Sequence, residues 1–106
     1  MIGLTLQFIK QFSNGIWLTL PLLLSFATAI AIVGQIVGSR EGWSHFESLY
    51  WSFITATTVG YGDIRPLKRR SRIFAVLIAF LGLLLTGILI AVAVHAANLS
   101  LDKIDR

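Results

Sequence analysis

Residues 57–63 read Thr57-Thr58-Val59-Gly60-Tyr61-Gly62-Asp63, and the fold is decided by what this stretch can do. In an ordinary strand, successive carbonyls point in alternating directions. Aiming consecutive carbonyls the same way requires alternate residues at positive φ or close to it, a conformation that glycine adopts at little cost. Gly60 and Gly62, separated by Tyr61, fit that requirement. Carbonyl oxygens carry partial negative charge and have no proton to give. Stacked rings of them can replace the water shell of a monovalent cation, and the Thr58 hydroxyl can extend the stack inward. One chain supplies one wall of such a site, so several copies have to surround an axis.

The sequence on either side supplies a setting for irregular backbone of this kind. The chain has 106 residues, 56% of them hydrophobic and only 13% charged, too few polar groups for the surface of a water-soluble bundle of this size. No formal charge occurs between Lys10 and Arg40, and Ile16 to Val37 is almost continuously apolar. These ~22 residues make about 33 Å of helix, enough to cross a bilayer core. Pro21 lies near the start of this span, and Gly38 and Ser39 close it. A signal-peptide reading, with Ala27-Thr28-Ala29 as the cleavage site, fails because the apolar run continues past that point. A second uncharged span, Ile73 to Ala97, carries Gly82 and Gly87, which suggest close packing or bending. Before the first span, Ile2, Leu6, Ile9 and Phe12 recur at helical spacing. They define either a short helix on the membrane surface, broken at Ser13-Asn14-Gly15, or a continuous extension. The chain has no cysteine, which rules out disulfides, thiolate metal sites and thiol nucleophiles. No nucleophile–base set or nucleotide loop marks an enzyme.

Between the spans, Ser44-His45-Phe46-Glu47 matches a capping box, and a helical stretch from about Phe46 to Thr57 follows it. At ~12 residues, or about 18 Å, this helix can enter a bilayer but not cross it. Irregular backbone at membrane depth has to be covered by protein or line water. Val59 and Tyr61 are therefore expected to face away from the axis and pack on the short helix, where Tyr50 and Trp51 can receive them and hydrogen-bond Tyr61 or Asp63. The C-terminal end of that helix, pointed inward, places about half a negative charge per copy toward the pore centre.

Thr55-Ala56-Thr57-Thr58-Val59-Gly60-Tyr61-Gly62-Asp63 resembles the potassium-channel signature, and the layout of span, short helix, loop and span resembles prokaryotic two-transmembrane potassium channels of the KcsA type. The resemblance covers roughly residues 16–98. It implies an all-α membrane protein assembled as a homotetramer, with an outer helix at 16–38, a pore helix at 44–57, a selectivity filter at 58–63 and an inner helix at 72–98. It implies K+ as the permeant ion, held by the carbonyls of Thr58, Val59, Gly60 and Tyr61, with Gly62, Asp63, Trp51 and Tyr50 as filter support. Gly82 matches the hinge glycine of the inner helix and Gly87 a second small position. Leu83 and Thr86 would border the cavity, and Ile90 and Val94 would approach the gate. In several relatives an acid on the pore helix meets the filter aspartate. Here that position is Ile54, so Asp63 needs another partner, for which Tyr50 is a candidate.

The family orientation, in a plasma membrane with both termini cytoplasmic, leaves Arg40, Arg65, Lys68, Arg69, Arg70 and Arg72 outside and only Lys10, Lys103 and Arg106 inside. Positive-inside counting alone would choose the reverse. The Arg65–Arg72 cluster reads either as solvated or snorkelling anchors or as a site for anionic lipid. Flanked by apolar spans, it is not read as a nucleic-acid contact. His95, near the cytoplasmic end of the second span, is either an interfacial histidine or a titrating bias on the gate. A transporter subunit, a non-conducting subunit and a nonselective cation channel are the competing readings. A single short chain that keeps Thr58, Tyr61 and both filter glycines argues against each.

Overall fold

The computed structural model describes residues 1–105, so Arg106, counted above on the inner side, lies outside the described residues. Three helices form: α1 (Ile2–Glu41), α2 (His45–Ala56) and α3 (Arg69–Asp105). Both α1 and α3 are long and apolar enough to cross a membrane.

The first helix is continuous. The break considered at Ser13-Asn14-Gly15 does not occur, and residues 2–12 extend the same helix that carries the apolar span. Gly15 has a packing reason instead: a Cβ there would lie 2.7 Å from Val92 Cγ1 on α3. Pro21 consequently sits in the helix interior rather than near its start, and its missing N–H leaves the Trp17 carbonyl without an intrahelical donor. The helix runs past Gly38 and Ser39 to Glu41. It ends at Gly42, whose φ of 78° is left-handed, while the Trp43 N–H donates to the Gly38 carbonyl at 2.9 Å. This is the glycine stop common at helix C-termini.

Contacts between α1 and α3 run in antiparallel order along both helices. Arg40 lies over the Phe74 ring at 5.8 Å, Gly15 meets Val92, and Leu4, Thr5 and Phe8 share a hollow with Ala97 and Leu101. α2 is wedged between them at the end away from the termini. Its start is fixed by the capping box: Ser44 Oγ accepts from the Glu47 N–H at 3.1 Å, and Glu47 Oε1 accepts from the Ser44 N–H at 3.2 Å. The core forms where the three helices meet, from Ile30 and Val37 of α1, Trp51 and Ala56 of α2, and Ile78 of α3. Trp43 packs beside it against Trp51, ring centroids 5.2 Å apart.

Small residues let α2 come this close. A Cβ on Gly34 would stand 2.5 Å from Ser52 Cβ, and one on Gly38 would stand 2.6 Å from Ser48 Cβ. Ser48 and Ser52 are one helical turn apart, as are Gly34 and Gly38, so two ridges of minimal height interlock. Much of the remaining apolar surface is left uncovered by the chain itself, including Leu18, Leu24 and Ile32 on α1 and Val76, Phe80 and Leu84 on α3.

Candidate functional site: the loop at the C-terminus of α2

The last turn of α2 rests on α3. A Cβ on Gly82 would lie 2.5 Å from Ala56 Cα, so only glycine admits the Ala56 backbone there. Gly82 lies 13 residues into α3, about 20 Å along the helix from its start at Arg69. The loop over 57–68 therefore climbs back roughly that distance, from the level of Gly82 to the N-terminal end of α3.

This loop begins by satisfying the end of α2. The Thr57 N–H donates to the Phe53 carbonyl at 2.9 Å and the Thr58 N–H to Thr55 at 3.1 Å. The Val59 and Gly60 N–H groups both donate to the Ile54 carbonyl, at 3.0 and 3.2 Å. Hydroxyls join in: Thr57 Oγ1 donates to the Phe53 carbonyl at 2.7 Å and Thr58 Oγ1 to the Thr57 carbonyl at 2.6 Å. The helix-terminal carbonyls that would otherwise be orphaned thus anchor residues 57–60.

The backbone then alternates. Thr58 has φ 64°, Gly60 φ 54° and Gly62 φ 80°, with Val59 and Tyr61 between them outside the left-handed region. The two glycines were legible in the sequence, but Thr58 was not. A β-branched residue at positive φ is held only where the surroundings over-determine it, and the three hydrogen bonds from Thr58, Val59 and Gly60 back into α2 supply that constraint. Every second residue from 58 to 62 is therefore in the conformation that turning consecutive carbonyls to one side requires.

Tyr50 Oη donates to Asp63 Oδ2 at 3.1 Å, giving Asp63 the partner that Ile54 cannot provide. Partial burial, then this hydrogen bond and the negative charge of Asp63, push the Tyr50 hydroxyl above its ordinary value of 10.0. Tyr50, Trp51, Ile54 and Thr55 line one side of a hollow of about 160 Å³, and residues Gly60 to Arg65 line the other. Within the single chain, Val59 and Tyr61 are not packed away as expected: Tyr61 is 70% and Val59 49% exposed.

Beyond Pro66, the loop is tied to the end of α1. Glu41 Oε1 accepts from the Leu67 and Lys68 N–H groups, and Lys68 Nζ donates to the Arg40 carbonyl at 2.6 Å. Sequence reading took Lys68 as one of a uniform basic run and missed this clasp. The arrival of a carboxylate just before the first turn of a helix, where the dipole favours it, was the available signal.

On α3, Leu83, Ile90 and Val94 are all more than half exposed. Their spacing of seven and four residues places them on one stripe of the helix. Gly87 meets nothing within 4 Å. Thr86 is half-buried, and His95 is exposed near the C-terminal end of α3.

The ion channel family model matches residues 18–98, from the apolar part of α1 to the late turns of α3. The chain is similar to TWiK family of potassium channels protein 7 of Caenorhabditis elegans, 45% identical over 56 residues, covering 53% of this chain and 10% of that protein. It is similar to potassium channel AKT1 of Arabidopsis thaliana, 46% identical over 43 residues, or 41% of this chain and 5% of that protein. It is also similar to potassium voltage-gated channel subfamily A member 5 of Rattus norvegicus, 39% identical over 59 residues, 52% of this chain and 10% of that one. The matched part thus spans about a tenth or less of the length of these curated relatives. No solved structure matches the chain significantly. A family match over most of the sequence, on an all-helical fold with two long apolar helices flanking a glycine-alternating loop, places the protein among channels rather than enzymes: the chain belongs to the ion channel family.

Proposed function

We propose that the chain is the pore-forming subunit of a potassium-selective channel that conducts K+ passively through a homotetramer. Four copies of residues 58–62 would face a common axis, and K+ would shed its water onto the carbonyls of Thr58, Val59, Gly60 and Tyr61, with the Thr58 hydroxyl completing the innermost site. The observation that carries this reading is the alternation of positive φ at Thr58, Gly60 and Gly62. A stack of consecutive carbonyls needs that alternation, and a simple turn does not. Further support comes from relatives named as potassium channels in three organisms and from the exposed Tyr61 and Val59, which neighbouring copies would cover. α2 would be the re-entrant pore helix, its C-terminal dipole directed at an ion in mid-membrane.

In this reading the protein sits in the plasma membrane with the filter loop outside and both termini cytoplasmic. α3 lines the pore with Leu83 and Thr86 at the cavity and Ile90 and Val94 at the gate. The gate opens by bending of α3, with Gly82 as the pivot against Ala56 and Gly87 as a second point of flexure. Of the basic cluster, Arg69 and Arg70 are the residues that would hold anionic lipid, since Lys68 and Arg72 have partners within the chain. Neutralising Arg69 and Arg70 should then lower lipid retention on purification.

Reconstitution in liposomes tests the main reading. Vesicles loaded with K+ should discharge their gradient through the protein, while an equal Na+ gradient should persist. Equal fluxes of the two ions would remove selectivity from the reading, and no flux of either would remove conduction.

A further inference from the structure

Pro21 leaves a gap in the hydrogen-bond ladder of α1. The proline has no N–H, so the Trp17 carbonyl, four residues earlier, lacks its helical donor. The hydroxyls nearest to it in sequence are spent on other carbonyls: Thr19 Oγ1 donates to Gly15 at 2.8 Å and Ser25 Oγ to Pro21 at 2.8 Å. Over the gap lies a hollow of about 510 Å³, lined by Trp17, Leu18, Leu20, Pro21 and Leu24. It sits on the side of α1 turned from α3, where Trp17 is 72% and Leu18 71% exposed. Trp17 stands seven residues past Lys10, about 10 Å along the helix, and the next formal charge is Arg40. The orphan carbonyl therefore lies close to the boundary between bilayer hydrocarbon and headgroups. A backbone acceptor at that depth needs a donor.

We propose that this hollow binds a neutral membrane lipid through a free hydroxyl, which donates to the Trp17 carbonyl while the apolar body of the lipid packs on Leu18, Leu20 and Leu24. The lining selects this class. An ionised phosphate offers acceptors only, and no basic side chain lines the hollow to meet it. A fully apolar chain would fill the space and leave the carbonyl unpaired. The volume falls within the range of about 300–1,000 Å³ usual for small-molecule sites. The site requires only that α1 lies in a membrane, so it stands apart from the potassium-channel reading.

The test is photolabelling of the full chain in phosphatidylcholine vesicles with a long-chain alcohol that carries a diazirine on its chain, beside the methyl ether of the same molecule. Mass spectrometry locates the crosslinks. The alcohol should label residues 17–24 about fivefold more than the ether, the worth of one hydrogen bond. Pro21→Ala restores the missing N–H and should bring the alcohol down to the level of the ether, with the ether unchanged. Leu24→Trp fills the hollow with Pro21 in place and should lower labelling by both. Unlabelled diacylglycerol, which has a free hydroxyl, should compete; triacylglycerol, which has none, should not. Equal labelling by alcohol and ether in the wild type would overturn the proposal, because water would then be serving the carbonyl. So would an alcohol preference that survives Pro21→Ala, or equal competition by the two glycerides. An absence of labelling by either probe would overturn it as well, by showing that a second copy covers this face.

Discussion

Ala56 Cα stands where the side chain of residue 82 would begin, only 2.5 Å from an ideal Cβ on Gly82. The short helix therefore ends on the long one backbone to backbone, and the level of the loop that follows it is set by a missing methyl group. The atoms opposite are main chain rather than the free end of a side chain, so they cannot swing aside.

Gly82→Ala should accordingly destabilise the protein by about 1–3 kcal/mol, the usual effect of overpacking a fitted contact. Gly87→Ala serves as the control, because nothing lies within 4 Å of it; it should be neutral or stabilising by roughly 0.5–1 kcal/mol through helix propensity. Thermal unfolding in detergent, followed by circular dichroism, separates the two. Equal midpoints for the two variants would show that the Ala56 contact is not fixed.

The same logic predicts a graded result where α1 meets α2. Gly38→Ala pushes a methyl into Ser48, whose Oγ already donates to the Ser44 carbonyl at 2.8 Å. Adding Ser48→Ala removes the hydroxyl but not its Cβ, 2.6 Å from the new methyl. The double variant should recover part of the lost stability and not all of it. Full recovery would mean that only the hydroxyl was in the way, and no recovery would place the conflict in the backbone.

These contacts also mark where the sequence stopped being readable. Both apolar spans, the Ser44–Glu47 capping box and the need for positive φ at 60 and 62 are local properties, and each was legible. At Gly15 the sequence left a break and a continuous helix equally open, because glycine near Ser13 and Asn14 commonly ends a helix; it is a notch for Val92, 77 residues away in the sequence. Gly34 and Gly38 form a Gly-x-x-x-Gly pair, but which residues enter the notch depends on how α2 folds back. Positive φ at Thr58 runs against its own propensity, and hydrogen bonds into α2 impose it. The exposure of Tyr61 was missed because the hollow beside Tyr50 and Trp51 does not enclose its ring.

Substituting Gly60 or Gly62 isolates backbone strain from crowding within the chain. A Cβ at Gly60 or Gly62 would meet nothing within 4 Å, yet both have left-handed φ. Alanine at either position should therefore cost about 1–2 kcal/mol through conformation alone, and under the proposed potassium-channel function K+/Na+ discrimination should fall about tenfold if that strain is relieved by turning a carbonyl. Reversal potentials under opposed K+ and Na+ read the change. Unaltered selectivity in Gly60→Ala would show that the φ alternation is dispensable for ion binding.

The Tyr50–Asp63 hydrogen bond carries a pH dependence whose sign can be worked out. The Tyr50 hydroxyl is held above 10.0 by burial, by its bond to Asp63 and by the charge of Asp63. A group whose folded value is raised contributes stability that is fully present below the unfolded value and is lost as pH rises through the folded one. The clasp should therefore be intact throughout the neutral range and weaken only above pH 10.0, where tyrosinate and carboxylate would repel. Ultraviolet titration of a Tyr61→Phe protein, which leaves Tyr50 as the only tyrosine, should give a midpoint above 10.0 that falls when Asp63→Asn is added. Tyr50→Phe should remove the titration and speed the decay of current during sustained opening, because Asp63 and the loop behind it lose their tie to α2. A midpoint at the ordinary tyrosine value, unmoved by Asp63→Asn, would mean that the bond is not formed in the membrane.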